Sequence, residues 1–103
     1  MDSEFPPQIR RLPPFEGAFD AFRLAAPDCD VLFASYPAGT AIDVHDHETD
    51  NVGVITNGQL ILTVNGAESR YGPGEWYHVA PHQPHAARFE IETSEIEFWF
   101  RPS

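Results

Sequence analysis

Short runs of alternating apolar and polar residues follow one another along most of this chain, punctuated by glycine, proline, asparagine and aspartate. Neighbouring side chains in a strand point to opposite faces, so such alternation marks half-buried β-strands. Runs of this kind cover 19–24, 31–36, 41–47, 51–56, 59–64, 67–71, 76–80, 85–89 and 95–101. No helical period lasts longer than a turn or two and no segment repeats, so the pattern predicts an all-β chain.

Two Asn-Gly pairs, Asn57-Gly58 and Asn65-Gly66, each lie between strand-like runs. The dipeptide accepts the positive φ angles of a type I′ turn, whose twist matches that of paired strands, and two successive hairpins are predicted here. Leu60, Leu62 and Val64 share one face of their run, as do Ile96, Phe98 and Phe100 in the last one. Both sets are predicted to be core, with Glu95, Glu97 and Arg101 alternating toward water. Gly72-Pro73-Gly74 breaks the chain before Trp76, because neither residue type favours continuing a ladder. Trp76, Tyr77 and Trp99 are read as packing residues.

Residues 1–16 have a different character. Pro6, Pro7, Pro13 and Pro14 lack an amide donor and hold φ near about −65°, which predicts an extended arm. Two readings stand for it: a strap anchored over the barrel or a neighbouring subunit by Phe5, Ile9, Leu12 and Phe15, or a partly ordered tail. Residues 17–103 then form one barrel domain, since a chain of 103 residues has room for one core.

Composition narrows the functional classes. An apolar share of 42% with 13% aromatics excludes a disordered chain. A formal charge of -10 repels phosphate backbones and anionic lipid headgroups, which speaks against nucleic-acid and membrane partners. Cys29 stands alone, so neither an intrachain disulfide nor a thiolate cluster is expected. The acidic, proline-bearing start is unlike a secretory leader, and no stretch approaches membrane-spanning length; a cytoplasmic setting is expected.

Chemistry is suggested by the histidines at 45, 47, 78, 82 and 85. Residues two apart in a strand share a face with Cα atoms about 6.5–7 Å apart. Two imidazoles so placed can converge on one ion at about 2.0–2.1 Å per nitrogen. By pattern alone, a half-buried strand with Ile42 and Val44 inside turns Asp43, His45 and His47 to solvent.

The surroundings of this pair resemble the first motif of the cupin superfamily: a glycine, five residues, His-x-His, three or four residues, a glutamate, six residues and a glycine. Gly39, His45-Asp46-His47, Asn51 and Gly58 keep every spacing, with Asn51 in the glutamate's place. The second motif is matched at Gly74 and His85, while Ala80, His82 and Phe89 depart from it. The resemblance covers about residues 31–101 and implies a double-stranded β-helix, a jelly-roll barrel with a metal inside. It implies His45, His47 and His85 as ligands of a divalent ion, zinc, nickel, iron or manganese, with Asn51 as a weaker fourth, an amide oxygen replacing a carboxylate. His82 falls in a turn and is read as a surface residue.

Fold does not fix function. The resemblance implies a metal-dependent isomerase or ring-opening enzyme on a small sugar-like substrate, similar to the single-domain cupins that linearise unsaturated uronates. A metal-dependent dioxygenase, a non-catalytic sensor of a metal or small ligand, and a barrel that has lost its metal are the alternatives. No glutamate or aspartate is securely placed on the cavity face, and Asp43 and His78 are the candidate proton-transfer groups. Cupins commonly pair through a sheet face and their N-terminal arms, so a homodimer is expected.

Overall fold

The computed structural model describes residues 5–17 and 19–102; Ala18, Ser103 and the first four positions of the predicted arm lie outside the described residues. Nine strands occur among them, each within a predicted run or a few residues of it: β1 Asp20–Ala25, β2 Cys29–Tyr36, β3 Thr40–His45, β4 Asp50–Asn57, β5 Leu60–Val64, β6 Ala67–Tyr71, β7 Trp76–Val79, β8 His85–Phe89 and β9 Thr93–Phe100. They form two antiparallel sheets, one ordered β1-β2-β9-β4-β7 and the other β3-β8-β5-β6. Ala34, Tyr36, Ile55 and Val79 of the first sheet pack against Leu60, Leu62 and Phe89 of the second in a shared core. This is the expected jelly-roll barrel.

Of the two Asn-Gly pairs only one makes a hairpin. Asn65 and Gly66 have φ of 53° and 77°, and Val64 pairs with Ala67 across them, as a two-residue type I′ connection requires. At Asn57-Gly58 only the glycine has positive φ, at 88°. There the chain leaves β4 in one sheet and enters β5 in the other, so the expected meander is replaced by a crossover. Gln59 N donates to Thr93 Oγ1 (3.1 Å) beside it, and a Cβ on Gly58 would come within 2.4 Å of the Glu92 carbonyl oxygen. A local dipeptide specifies the bend; which strand lies beyond it is settled by packing.

The alternation along β9 is real, but its sides are the reverse of those expected. Glu95 and Glu97 are 1% and 5% exposed and face the barrel interior, whereas Phe100 is 40% exposed. The register explains the reversal. Glu97 lies level with Leu32 of β2 and Gly53 of β4, and Gly53 with Tyr77 of β7; this row points inward. The next row, Phe33, Ile96, Val54 and Trp76, points outward. A strand between two neighbours has both faces flanked by other side chains, and polarity alone does not say which is enclosed.

A short helix, α1 Pro7–Arg10, interrupts the arm. Phe5 is buried edge-on against Phe33 of the outward row at 5.8 Å between ring centroids. Beyond the helix, Phe15 N donates to Ala21 O and Arg23 N to Pro13 O, so this part of the arm runs along β1. Phe15 then meets Phe19 (5.0 Å), Phe19 meets Tyr36 (5.3 Å), and Tyr36 stacks on Phe89 (4.1 Å), a line of rings from the arm to the core.

Candidate metal centre and cavity

His45 ends β3, His47 follows in the loop to β4, and His85 opens β8. Strict alternation would set Ile42 opposite His45, yet both line the same cavity. A register irregularity between Ile42 and His45 in the pairing with β8 brings both to the same side, as a β-bulge does. Val44 is left outside, 71% exposed. The His47 loop is fixed from the opposite turn, where His82, at φ 60°, donates its amide to His47 O (2.7 Å).

The three rings converge. One ligand-type nitrogen from each of His45, His47 and His85 lies within 4.8 Å of the others. Ring centroids are 5.7 Å apart for His45 and His47, 4.3 Å for His45 and His85, and 4.9 Å for His47 and His85. Each Nδ1 faces a backbone carbonyl on its own segment: Asp43 O at 2.9 Å from His45, Thr49 O at 3.4 Å from His47, and Gln83 O at 2.8 Å from His85. A carbonyl only accepts, so Nδ1 carries the proton and Nε2 keeps its lone pair. Burial, the first cause, together with the neighbouring imidazoles lowers the pKa of His47 and of His85 from the free value. Their neutral forms, the ones a metal needs, are therefore favoured. A bound ion with bonds of about 2.0–2.1 Å would require the three nitrogens to stand closer together than the 4.8 Å limit of the present cluster.

Asn51 adjoins the cluster from β4. It is buried, its oxygen accepts from Thr49 Oγ1 (2.7 Å), and its amide nitrogen stands 3.4 Å from His47 Nε2. Asp43 is exposed and contributes its carbonyl to His45, its side chain lying outside the cavity lining. His78 also lies outside that lining: it sits on the outer face, where Nε2 meets Asp50 Oδ1 at 2.6 Å.

Behind the histidines lies a cavity of about 420 Å³, within the range of small-molecule sites. Phe19, Phe89, Leu60, Leu62 and Val79 form much of its wall. Its carboxyl groups are Glu95 and Glu97, residues expected in water. Tyr77 Oη donates to Glu95, Tyr36 Oη donates to Glu97 Oε2 (2.5 Å), and Trp99 Nε1 donates to Glu97 Oε1 (3.0 Å). The Trp99 ring also lies 5.1 Å from that of His47, so one side chain links the carboxyl group to the histidine cluster. One signal in the sequence pointed this way. Trp99 shares the face of Glu95 and Glu97, and a tryptophan among acids is out of place on a solvated face.

A family model for the cupin domain matches residues 32–98. The chain belongs to the cupin family. An H2HPP isomerase of Bacillus subtilis is 30% identical to this cupin over 70 residues, a match taking in 67% of this chain and 30% of that protein. The chain thus spans less than a third of the length of this curated relative. An RmlC-like cupin from Shewanella frigidimarina superposes with a TM-score of 0.78 at 18% identity, covering 90% of this chain and 86% of the other. A variant of salicylate 1,2-dioxygenase from Pseudoaminobacter salicylatoxidans gives 0.72 at 18% identity, covering 78% of this chain and 25% of the other. At these identities the superpositions speak to the fold alone. No helix among the described residues is long and apolar enough to cross a membrane.

Proposed function

We propose that this cupin is a metal-dependent enzyme of the isomerase type, acting on a small molecule within the barrel. His45, His47 and His85 hold the divalent ion, with Asn51 beside them. The observation that carries this reading is the convergence of three imidazoles, each with its Nδ1 facing a backbone carbonyl and its Nε2 keeping its lone pair, that of His47 lying 3.4 Å from the Asn51 amide nitrogen. Neutral ligands leave an ion nearly its full double charge, which polarises a carbonyl or hydroxyl group and acidifies bound water. The protein's own part is to aim the imidazoles, flank them with Asn51 and Trp99, and enclose the substrate between apolar walls. The name of the isomerase relative favours this class.

Zinc, nickel, iron and manganese all accept imidazole nitrogen, and elemental analysis of protein purified without chelator or a nickel column names the ion. We expect one equivalent in the wild type and a similar large loss in His45→Ala and in His85→Ala. Equal metal in all three would remove the assignment.

The expected homodimer is supported by the outward face of the five-stranded sheet, where Trp76 is 58% exposed, Leu24 45% and Phe100 40%. An apolar face of this kind is where a second copy would gain burial. A cytoplasmic, reducing setting agrees with Cys29 as a free thiol.

A further inference from the structure

We infer that Glu95 and Glu97 share one proton and form the acid–base device of the cavity, moving protons on an enolisable carbonyl compound whose oxygen lies at the histidine centre. The placing of that oxygen rests on the metal-dependent reading above; the proton pair rests on geometry of its own.

Both carboxyl groups project inward from β9, at alternate positions of one strand face, and are 1% and 5% exposed against the same cavity. The groups facing the pair are Tyr77 from β7, Tyr36 and Trp99, with His45, His47 and His85 across the cavity. No arginine or lysine lines the cavity among the described residues. In the metal-free protein a second negative charge would be buried without a cation, which is costly; a single charge is already served by the hydroxyls and the indole N–H. Burial first, and the like charge for Glu95, raise both pKa values and act in the same direction. The protons of the pair belong to the two groups jointly.

A pair holding one proton offers an acid and a base in one place. Its ionised oxygen takes a proton from the carbon next to a substrate carbonyl; the C–H electron pair becomes a carbon–carbon double bond, and the carbonyl π pair moves to oxygen. The pair then holds two protons. Returning one to a different atom of that enolate gives an isomer and restores the single proton. Atoms and electrons balance with no co-reactant. The cavity wall selects the substrate class: Phe19, Phe89, Leu60, Leu62 and Val79 suit an apolar body, and polar groups lie chiefly at the histidines and the carboxyl pair. This fits a carbonyl compound with an apolar ring or chain better than a sugar with many hydroxyl groups.

The test uses the full chain, metal-free and zinc-loaded, with Glu95→Gln and Glu97→Gln, whose amides mimic a protonated carboxyl. Thermal melting and zinc content verify that each variant folds and loads. In the metal-free wild type near neutral pH, infrared spectra should show a protonated-carboxyl C=O band that shifts in deuterium oxide and disappears in both variants. With zinc-loaded protein and cyclohexanone in deuterium oxide, NMR should show α-hydrogen exchange at least about 100-fold faster in the wild type than in Glu97→Gln, the low end of general acid–base contributions. Absence of the band, or exchange by the zinc-loaded wild type no faster than by Glu97→Gln, overturns the inference. Zinc uptake without either signal leaves the metal reading intact. The band without zinc uptake defeats that reading and leaves the proton pair standing.

Discussion

Gly53 provides a sharp test of how the interior is built. It is an inward residue of β4, level with Tyr77 on β7, and a Cβ placed on it would come within 2.5 Å of the Tyr77 ring and hydroxyl. Its φ is not positive, so space rather than backbone freedom demands glycine here. Gly53→Ala should therefore push the ring aside and pull its hydroxyl off Glu95. Overpacking of this kind costs about 1–3 kcal/mol. Losing a hydrogen bond to a charged or proton-sharing group adds about 1.5–3 kcal/mol. Against a typical total of about 5–15 kcal/mol, the loss is large. Urea unfolding followed by tryptophan fluorescence measures it, with Tyr77→Ala and the double variant closing a thermodynamic cycle. In the Tyr77→Ala background the extra methyl group has room, and its cost should fall to near zero. If Gly53→Ala changes stability by less than about 0.5 kcal/mol, or costs as much without the tyrosine ring as with it, the proposed packing is wrong.

Phe89→Ala removes a ring that is 2% exposed and stacked on Tyr36, so a loss of about 3–5 kcal/mol is expected in the same unfolding assay. The pH dependence of metal-free protein should show two opposed slopes. Glu95 and Glu97 retain protons that the unfolded chain releases, so their contribution falls as pH rises from the ordinary carboxylate range toward the pair's raised values. His47 and His85 bind protons less readily when folded, so theirs rises with pH between their lowered values and 6.5. Urea midpoints between about pH 5 and 8 should show Glu95→Gln losing the first slope and keeping the second; an unchanged profile would contradict the raised carboxyl values. Trp76→Glu, on the outward sheet face, should lower the sedimentation coefficient from dimer to monomer while leaving the melting temperature of the monomer little changed; a monomeric wild type would rule out the pairing.

Several features of this cupin were already legible in the residue order. Alternation located the nine strands, since period two depends only on the backbone. Asn65-Gly66 specified its hairpin because both positive φ angles are local properties, and the spacing of His45, His47 and His85 within the family motif foretold residues that the fold brings together. Tertiary structure decided what alternation leaves symmetric. Exchanging the two faces of β9 preserves its pattern, and only rows contributed by β2, β4 and β7 placed Glu95 and Glu97 inside and Phe98 outside. In the same way the irregularity in β3, visible only in its pairing with β8, brought Ile42 to the side of His45. A strand's own sequence groups its side chains into two sets; contact with other strands determines which set is enclosed.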